Sequence, residues 1–506
     1  MDQPPSARPL PGKLAAFLVF LASGAVLVLE TAALRLVGPY VGVTLQVTSS
    51  VIGIALAAIA YGAWLGGFMA DKRDPRTLLA PALVLAGIAT ALTLPIVRYS
   101  GEALRGGAVA AILLVAALAI FVPALLLSAV TPLVVKLQLG DLRNTGQVVG
   151  RLSSIGTLGA VTATLTTGFI LVAALPTSVI FLGVAGLLGV VGIALGVYLR
   201  RHDHTDQPGR VGARAALAVV GLVGAGLSAV APTPCDVETA YHCAAVSPDP
   251  ARESGRVLLL NSARHSYVDV ADPEYLEFAY MRWIGAVADV IAPAGQPLDA
   301  LHLGGGGFTM PRYLAATRPG TDSEVFEIDG DLVELDEREL GLRLGPDLRA
   351  SVGDARMLLG RRATDSADFV VGDAFGHLVV PWHLATREMA TDIERVTRPT
   401  GVYVQNVIDY PPLRFIRAEV ATVQSVFPHV ALIAPVASLA GDTGSNFLIV
   451  ASESPLPLDR IRASVGDDDT GRAVDVLDGA ELAEFVGDAH VLTDEFAPVD
   501  QLLATS

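Results

Sequence analysis

The feature that most constrains this chain is an uneven distribution of charge, which divides the sequence near residue 232. Residues 1–231 carry 15 Lys and Arg against 8 Asp and Glu, and the remaining residues carry 20 against 43. The formal charges are therefore +7 and −23, which together give the −16 of the whole chain. Since 52% of the residues are hydrophobic and only 17% are charged, an ordinary soluble protein is excluded.

The first part consists of apolar stretches, each close to the roughly 20 residues that cross a hydrocarbon layer of about 30 Å. Seven are recognised: residues 14–36, 47–70, 78–97, 108–135, 152–174, 177–199 and 213–231. The first is long and is followed by six more, so we expect it to be retained rather than cleaved as a signal peptide. The sequence predicts a multi-pass α-helical membrane domain over residues 1–231, with about seven transmembrane helices.

The basic residues in the connections predict the orientation of these helices. The N-terminus and every second connection together carry 12 Lys and Arg, whereas the alternate connections carry only Arg98 and Arg105. By the positive-inside rule the N-terminus is expected in the cytoplasm. An odd number of spans then places the C-terminal domain on the extracytoplasmic side of the plasma membrane.

The two cysteines, Cys235 and Cys243, both follow the last span, within a linker predicted over residues 232–255. Their proximity indicates one disulfide, which requires an oxidising compartment. There are two alternatives. The cysteines could form a metal site together with His242, or they could stay unpaired and pack as small hydrophobic residues. If the fourth apolar stretch, which contains Pro123, were two spans, the domain would lie inside and the disulfide would not form.

The acidic part, residues 256–506, alternates between strand and helix patterns. Residues 256–270 predict a small β-hairpin, and residues 274–291 predict a helix. The later strands are predicted at 299–303, 323–328, 348–352, 367–372, 400–406, 430–434 and 445–451, with helices at 309–317, 331–341, 383–395, 412–426 and 478–486. This alternation is typical of a doubly wound α/β domain with a mostly parallel, Rossmann-like sheet.

Glycines and acids stand at the ends of four consecutive predicted strands. Residues 304–307 are four glycines between a strand and a helix, which lets a ligand approach the backbone. The next three strands end at Glu327, Asp354 and Asp373. An acid about 20 residues beyond a glycine loop commonly binds ribose hydroxyls. Solvated turns or helix caps are the alternative interpretation of these acids.

These motifs resemble those of the polyamine aminopropyltransferases, the spermidine synthase family, and the whole chain resembles membrane-fused, spermidine synthase-like proteins. The resembling segments are Leu303–Gly306, Glu327–Asp329, Gly353–Ala355, Asp368–Asp373 and Pro381–Leu384. The resemblance implies the fold of class I S-adenosylmethionine-dependent methyltransferases.

The resemblance also implies roles for individual residues. The implied donor-binding residues are Gly304, Gly305, Gly306, Glu327, Asp329, Asp354 and Ala355. Glu327 would bind the ribose and Asp354 the adenine amino group. Asp373 would orient and deprotonate the attacking amine, and the implied acceptor-side residues are Tyr280, His265 and Gln405.

Three positions depart from the family pattern. The family has an aspartate at the position of Gly307, a second aspartate at that of Gly376 and a histidine at that of Met281. The acids normally bind cationic groups of the two substrates. Each lost charge-assisted bond removes roughly 1.5 to 3 kcal/mol, so a dicationic amine would be held weakly.

Three functions follow as alternatives. The first is aminopropyl transfer from decarboxylated S-adenosylmethionine to an amine or polyamine, with release of methylthioadenosine. The second is methyl transfer from S-adenosylmethionine, and the third is a catalytically degenerate binding or scaffold domain attached to a small-solute transporter or sensor. We expect no metal, and no nucleic-acid partner because the −23 domain repels phosphate. The lipid bilayer is a partner, and a homodimer is left open.

Overall fold

The chain is described from a computed structural model. It covers residues 9–503 apart from 43, 105–108, 140–143, 204–220, 222, 225, 229–230, 232 and 377–378. The chain divides into two compact units, Met1–His242 and Cys243–Ser506. Cys235 and Cys243 are joined by a disulfide.

The first unit is built from long apolar helices. They are Gly12–Val41, Leu45–Lys72, Pro75–Ala103, Val109–Ser128, Val130–Gln138, Thr145–Ala174 and Thr177–Asp203. A two-residue strand, β1, Val237–Glu238, follows the helices. The described residues contain six spans long and apolar enough to cross a membrane, which is compatible with a multi-pass membrane protein. The fourth predicted span is a single one, Leu113–Gln138, with a break at Ala129. The seventh, at 213–231, lies largely outside the described residues.

Glycines allow the close packing of these helices. A Cβ atom on Gly62 would lie 2.3 Å from the carbonyl oxygen of Leu125, and one on Gly66 would lie 2.6 Å from that of Ala129. Gly159 approaches Phe20 in the same way, at 2.4 Å from its carbonyl oxygen. Small residues at helix contacts are the usual means by which membrane helices approach each other closely.

The second unit begins with a small antiparallel sheet. Its strands β2, Cys243–Asp249, β3, Arg252–Leu260, and β4, Ala263–Asp269, pair in sequence order. The predicted hairpin is β3 and β4, whereas β2 was not predicted. The helix Ala279–Ile291 follows and packs its apolar face, including Trp283 and Ile284, into the core.

The larger sheet has eight strands. They are β5, Asp299–Leu303; β6, Asp322–Glu327; β7, Leu348–Val352; β8, Ala367–Gly372; β9, Thr397–Asp409; β10, His429–Pro435; β11, Ser445–Ser452; and β12, Val474–Asp478. Their order is β12-β10-β11-β9-β8-β5-β6-β7. Strands β5 to β9 pair in parallel, and β9, β11, β10 and β12 pair antiparallel. The predicted α/β fold is confirmed, with a mixed sheet.

Helices cover both faces of this sheet. They are Thr309–Thr317, Gly330–Glu339, Ala355–Leu359, Arg387–Val396, Arg414–Gln424, Val436–Leu439, Leu458–Ser464, Gly479–Val486 and Val499–Leu503, with a 3-10 turn at Trp382–Leu384. The central strand β9 is buried from Gly401 to Val407 because hydrophobic cores pack on either side of it. The carboxyl ends of β5, β6, β7 and β8 lie along one edge, where the predicted site residues are found.

Candidate functional site

The glycine loop after β5 comes very close to the backbone that follows β8. Gly304 has a φ of +97°, and a Cβ atom there would lie 2.5 Å from the carbonyl oxygen of Asp373. The Asp373 N–H in turn donates to the Leu303 carbonyl at 2.9 Å. A side chain at position 304 is therefore excluded both by conformation and by space. This contact brings Asp373 directly beside the loop.

Glu327 holds the other side of the same loop. Its Oε2 accepts a hydrogen bond of 2.8 Å from the Gly305 N–H, and its Oε1 accepts one of 2.9 Å from the Asp329 N–H. Asp329 is buried and caps the helix Gly330–Glu339, accepting from the Leu332 N–H at 3.4 Å. The two acids thus order the loop and a helix start in this structure.

Asp354 lies at the end of β7 and is already engaged by two partners. Its Oδ1 accepts from the Met357 N–H at 3.1 Å, and its Oδ2 lies 2.9 Å from His383 Nε2. Ala355 is buried as the first residue of the helix Ala355–Leu359. Asp329 and Asp354 therefore both act as helix caps, which was the alternative interpretation of the strand-end acids.

Large apolar side chains surround these acids and are open to solvent. Ile328 is 38% exposed, Val352 58% and Met357 66%. Ile328 directly follows Glu327 at the end of β6, and Val352 ends β7 two residues before Asp354. Met357 follows Asp354 by three residues, in the helix Ala355–Leu359. This apolar surface beside the two acids is open to a ligand.

Asp373 is held by two side chains from other elements. Asn406 Nδ2, on β9, donates to its Oδ1 at 2.8 Å, and the Tyr280 hydroxyl donates to its Oδ2 at 3.3 Å. Burial raises the pKa of Asp373 to about 6, against the effect of the two hydrogen bonds, which lower it. Burial and the neighbouring Asp373 raise the pKa of Tyr280 well above its usual value. A carboxyl group in this state can exchange a proton near neutral pH.

Two cavities meet at Asp373. The first, here called the loop cavity, is lined by the glycine loop, His265, Ser266, Met281 and His302 and encloses about 20 Å³, room for roughly one water molecule. The second is here called the acceptor cavity because the predicted acceptor-side residues His265 and Tyr280 line it. It encloses about 240 Å³. Asp373 and His265 line both, and Tyr280 lines the second. Glu327 and Asp354 are not among the residues that line either cavity.

Gln405 does not line the acceptor cavity, contrary to its predicted role. It is buried, and its Nε2 donates to Glu419 Oε1 at 2.7 Å. Its neighbour Asn406 faces the cavity instead and bonds Asp373. The reason is strand geometry, since successive residues of β9 point to opposite faces of the sheet. Asn406, Asn446 and Asp469 line the cavity and were missed by the sequence analysis.

The three positions that depart from the family pattern differ in the space around them. A Cβ atom on Gly307 would lie 2.8 Å from Val268 Cγ2 and 3.1 Å from Ser266 Cβ, whereas the nearest neighbour of one on Gly376, among the described residues not adjacent to it in the chain, is the Val379 carbonyl oxygen at 3.9 Å. Met281 is buried and lines the loop cavity together with His302. Burial lowers the pKa of His302 to about 3, so its imidazole is neutral at physiological pH.

Comparisons with known proteins support the resemblance inferred from these motifs. A polyamine aminopropyltransferase from Vibrio vulnificus (strain CMCP6) is 31% identical to this chain over 134 residues, 26% of this chain and 44% of that protein. The chain thus spans less than half the length of this relative. No family model matches the chain. The resemblance to the polyamine aminopropyltransferases is confirmed, and the second unit has the mixed α/β sheet expected of a spermidine synthase-like, Rossmann-like fold.

Solved structures show similarity to about half of the chain. A probable spermidine synthase from Corynebacterium glutamicum ATCC 13032 is 28% identical, with a TM-score of 0.47 over 50% of this chain and 94% of that chain. The spermidine synthase of Thermotoga maritima is 15% identical, with a TM-score of 0.35 over 52% and 81% of the two chains. Human methyltransferase-like protein 13 is 15% identical, with a TM-score of 0.32 over 44% and 99%.

Proposed function

We propose that the second unit is an aminopropyltransferase that uses decarboxylated S-adenosylmethionine and an amine. The observation that carries this proposal is the position of Asp373, which lines both the loop cavity and the acceptor cavity. A base at this junction would lie between a donor bound at the glycine loop and an acceptor bound beside Tyr280. The similarity to the Vibrio vulnificus aminopropyltransferase supports the same assignment.

In the proposed reaction the amine nitrogen attacks the donor's methylene carbon next to the sulfonium. The new nitrogen–carbon bond forms as the carbon–sulfur bond breaks, and the electron pair of that bond neutralises the sulfur to give methylthioadenosine. Asp373 accepts the proton that the amine loses, and Tyr280 and Asn406 orient its carboxylate. Catalysis then depends on the alignment of the two reactants and on proton removal.

The donor's nucleoside would lie outside the two cavities, against the exposed side chains of Ile328 and Val352. Glu327 and Asp354, which flank this surface, would hold the ribose and the adenine amino group. To do so, Asp354 would exchange its bond with His383 for one with the base.

The test is formation of methylthioadenosine by the purified full-length chain in lipid nanodiscs, with decarboxylated S-adenosylmethionine and a panel of amines. Asp373→Asn is expected to reduce the rate by about 100-fold or more, the usual contribution of a general base. Asp488→Asn, which removes an exposed carboxylate that lines neither cavity, serves as the matched control. No methylthioadenosine with any amine would contradict the proposal.

Methyl transfer from S-adenosylmethionine is the second candidate, and the environment of Gly307 favours it. The position that carries a carboxylate in the aminopropyltransferases has no side chain here, and Val268 fills the adjacent space. A donor that keeps its own carboxylate would avoid repulsion at this point. Calorimetric titration of the wild-type chain with the two donors distinguishes the candidates, because the preferred donor binds more tightly. Binding of neither donor would favour a scaffold or sensor role.

We further propose that the N-terminus lies in the cytoplasm and the second unit outside the plasma membrane. The disulfide and the basic connections support this orientation. Because Cys235 and Cys243 are the only cysteines of the chain, labelling reports on this region alone. Intact cells treated with an impermeant reductant and then an impermeant maleimide should label the chain. Labelling only after lysis would place the second unit in the cytoplasm, where both donors are made available.

A further inference from the structure

The acceptor cavity has an unusual balance of charge for a site that binds a diamine. Aromatic rings of Phe278, Tyr280 and Phe375 form much of its wall, and the amides of Asn406 and Asn446 continue it, joined by a 3.0 Å hydrogen bond. Three charged groups complete the lining, namely Asp373, Asp469 and Arg264. The proposed reaction uses Asp373 as the base, so the other two decide which distal group an acceptor can carry.

Asp469 is already neutralised by a neighbour. Its Oδ1 accepts a 2.9 Å hydrogen bond from Arg282 Nη2, and both side chains are about half exposed, 52% and 40%. A distal ammonium of a diamine would have to share this carboxylate with a guanidinium that is already in place. An exposed ion pair is worth little, typically 0 to 1 kcal/mol, so a distal ammonium would also gain little from Asp469.

Arg264 carries the remaining formal charge. Its guanidinium lies over the ring of Phe278, 5.3 Å from the centroid, and no carboxylate in the described ranges of the chain lies within ion-pair distance of it. Asp249, which Arg264 influences electrostatically, accepts hydrogen bonds from the Ala251 N–H at 2.9 Å and the Tyr267 hydroxyl at 2.7 Å. The guanidinium on the cavity wall thus keeps its donors available for an anion.

We propose that the acceptor is an amine that also carries a carboxylate or another acidic group, with Arg264 binding the acid and Asp373 deprotonating the amine. This inference rests on the proposed transfer reaction and names the chemical class of its acceptor. A carboxylate can form two parallel bonds with a guanidinium, whereas the second ammonium of a diamine would be repelled by it. The absence of the family's second aspartate at Gly376 agrees with an acceptor that is not a dication.

Three compounds with the same four-carbon chain test the proposal, namely 4-aminobutyrate, butylamine and putrescine. They differ only at the carbon farthest from the reacting amine, which is a carboxylate, a methyl group or a methylene that carries an ammonium. With the full-length chain and decarboxylated S-adenosylmethionine, kcat/KM for 4-aminobutyrate should exceed that for butylamine by about threefold to fivefold, the effect of one charge pair at an exposed arginine. Arg264→Gln should remove this preference, so that kcat/KM becomes the same for 4-aminobutyrate and butylamine.

Arg256→Gln is the matched control, because Arg256 is a neighbouring arginine on β3 that bonds the Glu253 and Gly255 carbonyls and does not line the cavity. It should keep the preference for 4-aminobutyrate. Equal rates with all three compounds would overturn the proposal. A preference for putrescine that Asp469→Asn abolishes would also overturn it and would assign the distal ammonium to Asp469.

Failure of the reaction itself is distinguished by a binding measurement. Calorimetric titration of the three compounds into the chain in the presence of methylthioadenosine requires no turnover. Tighter binding of 4-aminobutyrate that depends on Arg264 supports the inference even if no product forms, in which case the transferase proposal alone fails. Binding of putrescine in preference to 4-aminobutyrate contradicts the inference whether or not transfer occurs.

Discussion

The side-chain amide of Asn406 donates a hydrogen bond of 2.8 Å to Oδ1 of Asp373, and this bond stabilises the charged form of a carboxyl group that burial would keep protonated. Tyr280 acts in the same direction on Oδ2, at 3.3 Å. Because Asn446 donates to Asn406 Oδ1 at 3.0 Å, the orientation of the Asn406 amide is fixed from strand β11. The balance of burial and hydrogen bonding thus sets the pKa of the proposed base.

The pH dependence of transfer should reflect this balance. Asp373 must be deprotonated to accept a proton, so kcat/KM should fall as the pH drops below about 6. Tyr280→Phe and Asn406→Ala each remove a bond that lowers this pKa, and both should move the acid limb of the pH profile to higher pH. Tyr313→Phe, which removes a hydroxyl that bonds Asp289, is the control. An acid limb that does not move in either variant would assign it to another group.

The two glycines that replace the family's aspartates should respond differently to substitution. Gly307→Asp places a Cβ atom 2.8 Å from Val268 Cγ2, and overpacking of this kind costs about 1 to 3 kcal/mol of folding free energy. Gly376→Asp meets the nearest non-adjacent atom of the described part of the chain at 3.9 Å and should leave the melting temperature nearly unchanged. Adding Val268→Ala to Gly307→Asp should recover part of the loss. Equal melting temperatures for the two single variants would contradict the tight packing around Gly307.

Nucleoside binding should strengthen when His383 is removed. His383 Nε2 lies 2.9 Å from Asp354 Oδ2, the atom proposed to receive the adenine amino group. His383→Ala should therefore tighten methylthioadenosine binding between about twofold and tenfold, since one hydrogen bond no longer has to be exchanged. The exposed His490→Ala is the control, and calorimetry is the measurement. Weaker binding in His383→Ala would indicate that His383 itself contacts the nucleoside.

Glu419 should make the stability of the second unit depend on pH. Burial raises the pKa of Glu419 to about 7, from its usual 4.5, although the bond from Gln405 lowers it. Between these values the folded state holds a proton that the unfolded chain has released, so stability falls as the pH rises from about 4.5 to 7. Glu419→Gln should remove this contribution. The measurement is the difference in melting temperature between Glu419→Gln and the wild type, which should be larger in favour of the variant at pH 8 than at pH 5. The same difference at both pH values would contradict the prediction.

The sequence predicted the elements around the site better than the orientation of individual side chains. The glycine loop and Asp373 were placed together because strand ends and helix starts follow from local pattern, whereas Tyr280 was implied by the family resemblance alone. Gln405 and Asn406 could not be distinguished, since both faces of β9 are buried and no alternation of polarity marks which residue faces the cavity.

The cavity residues that come from distant parts of the sequence were the least predictable. Asp469 lies in a run of three aspartates, and nothing local indicates that it reaches a cavity beside Tyr280. Asn446 comes from an antiparallel strand whose place in the sheet depends on tertiary packing. Strand β2 was missed because it contains Pro248 and alternates weakly between apolar and polar residues.

The packing around Gly307 couples the glycine loop to the small sheet. A side chain at position 307 would meet Val268 and Ser266, which both lie on β4, so a larger residue in the loop requires smaller residues on that strand. Engineering of an acidic loop in this protein would therefore have to begin on β4.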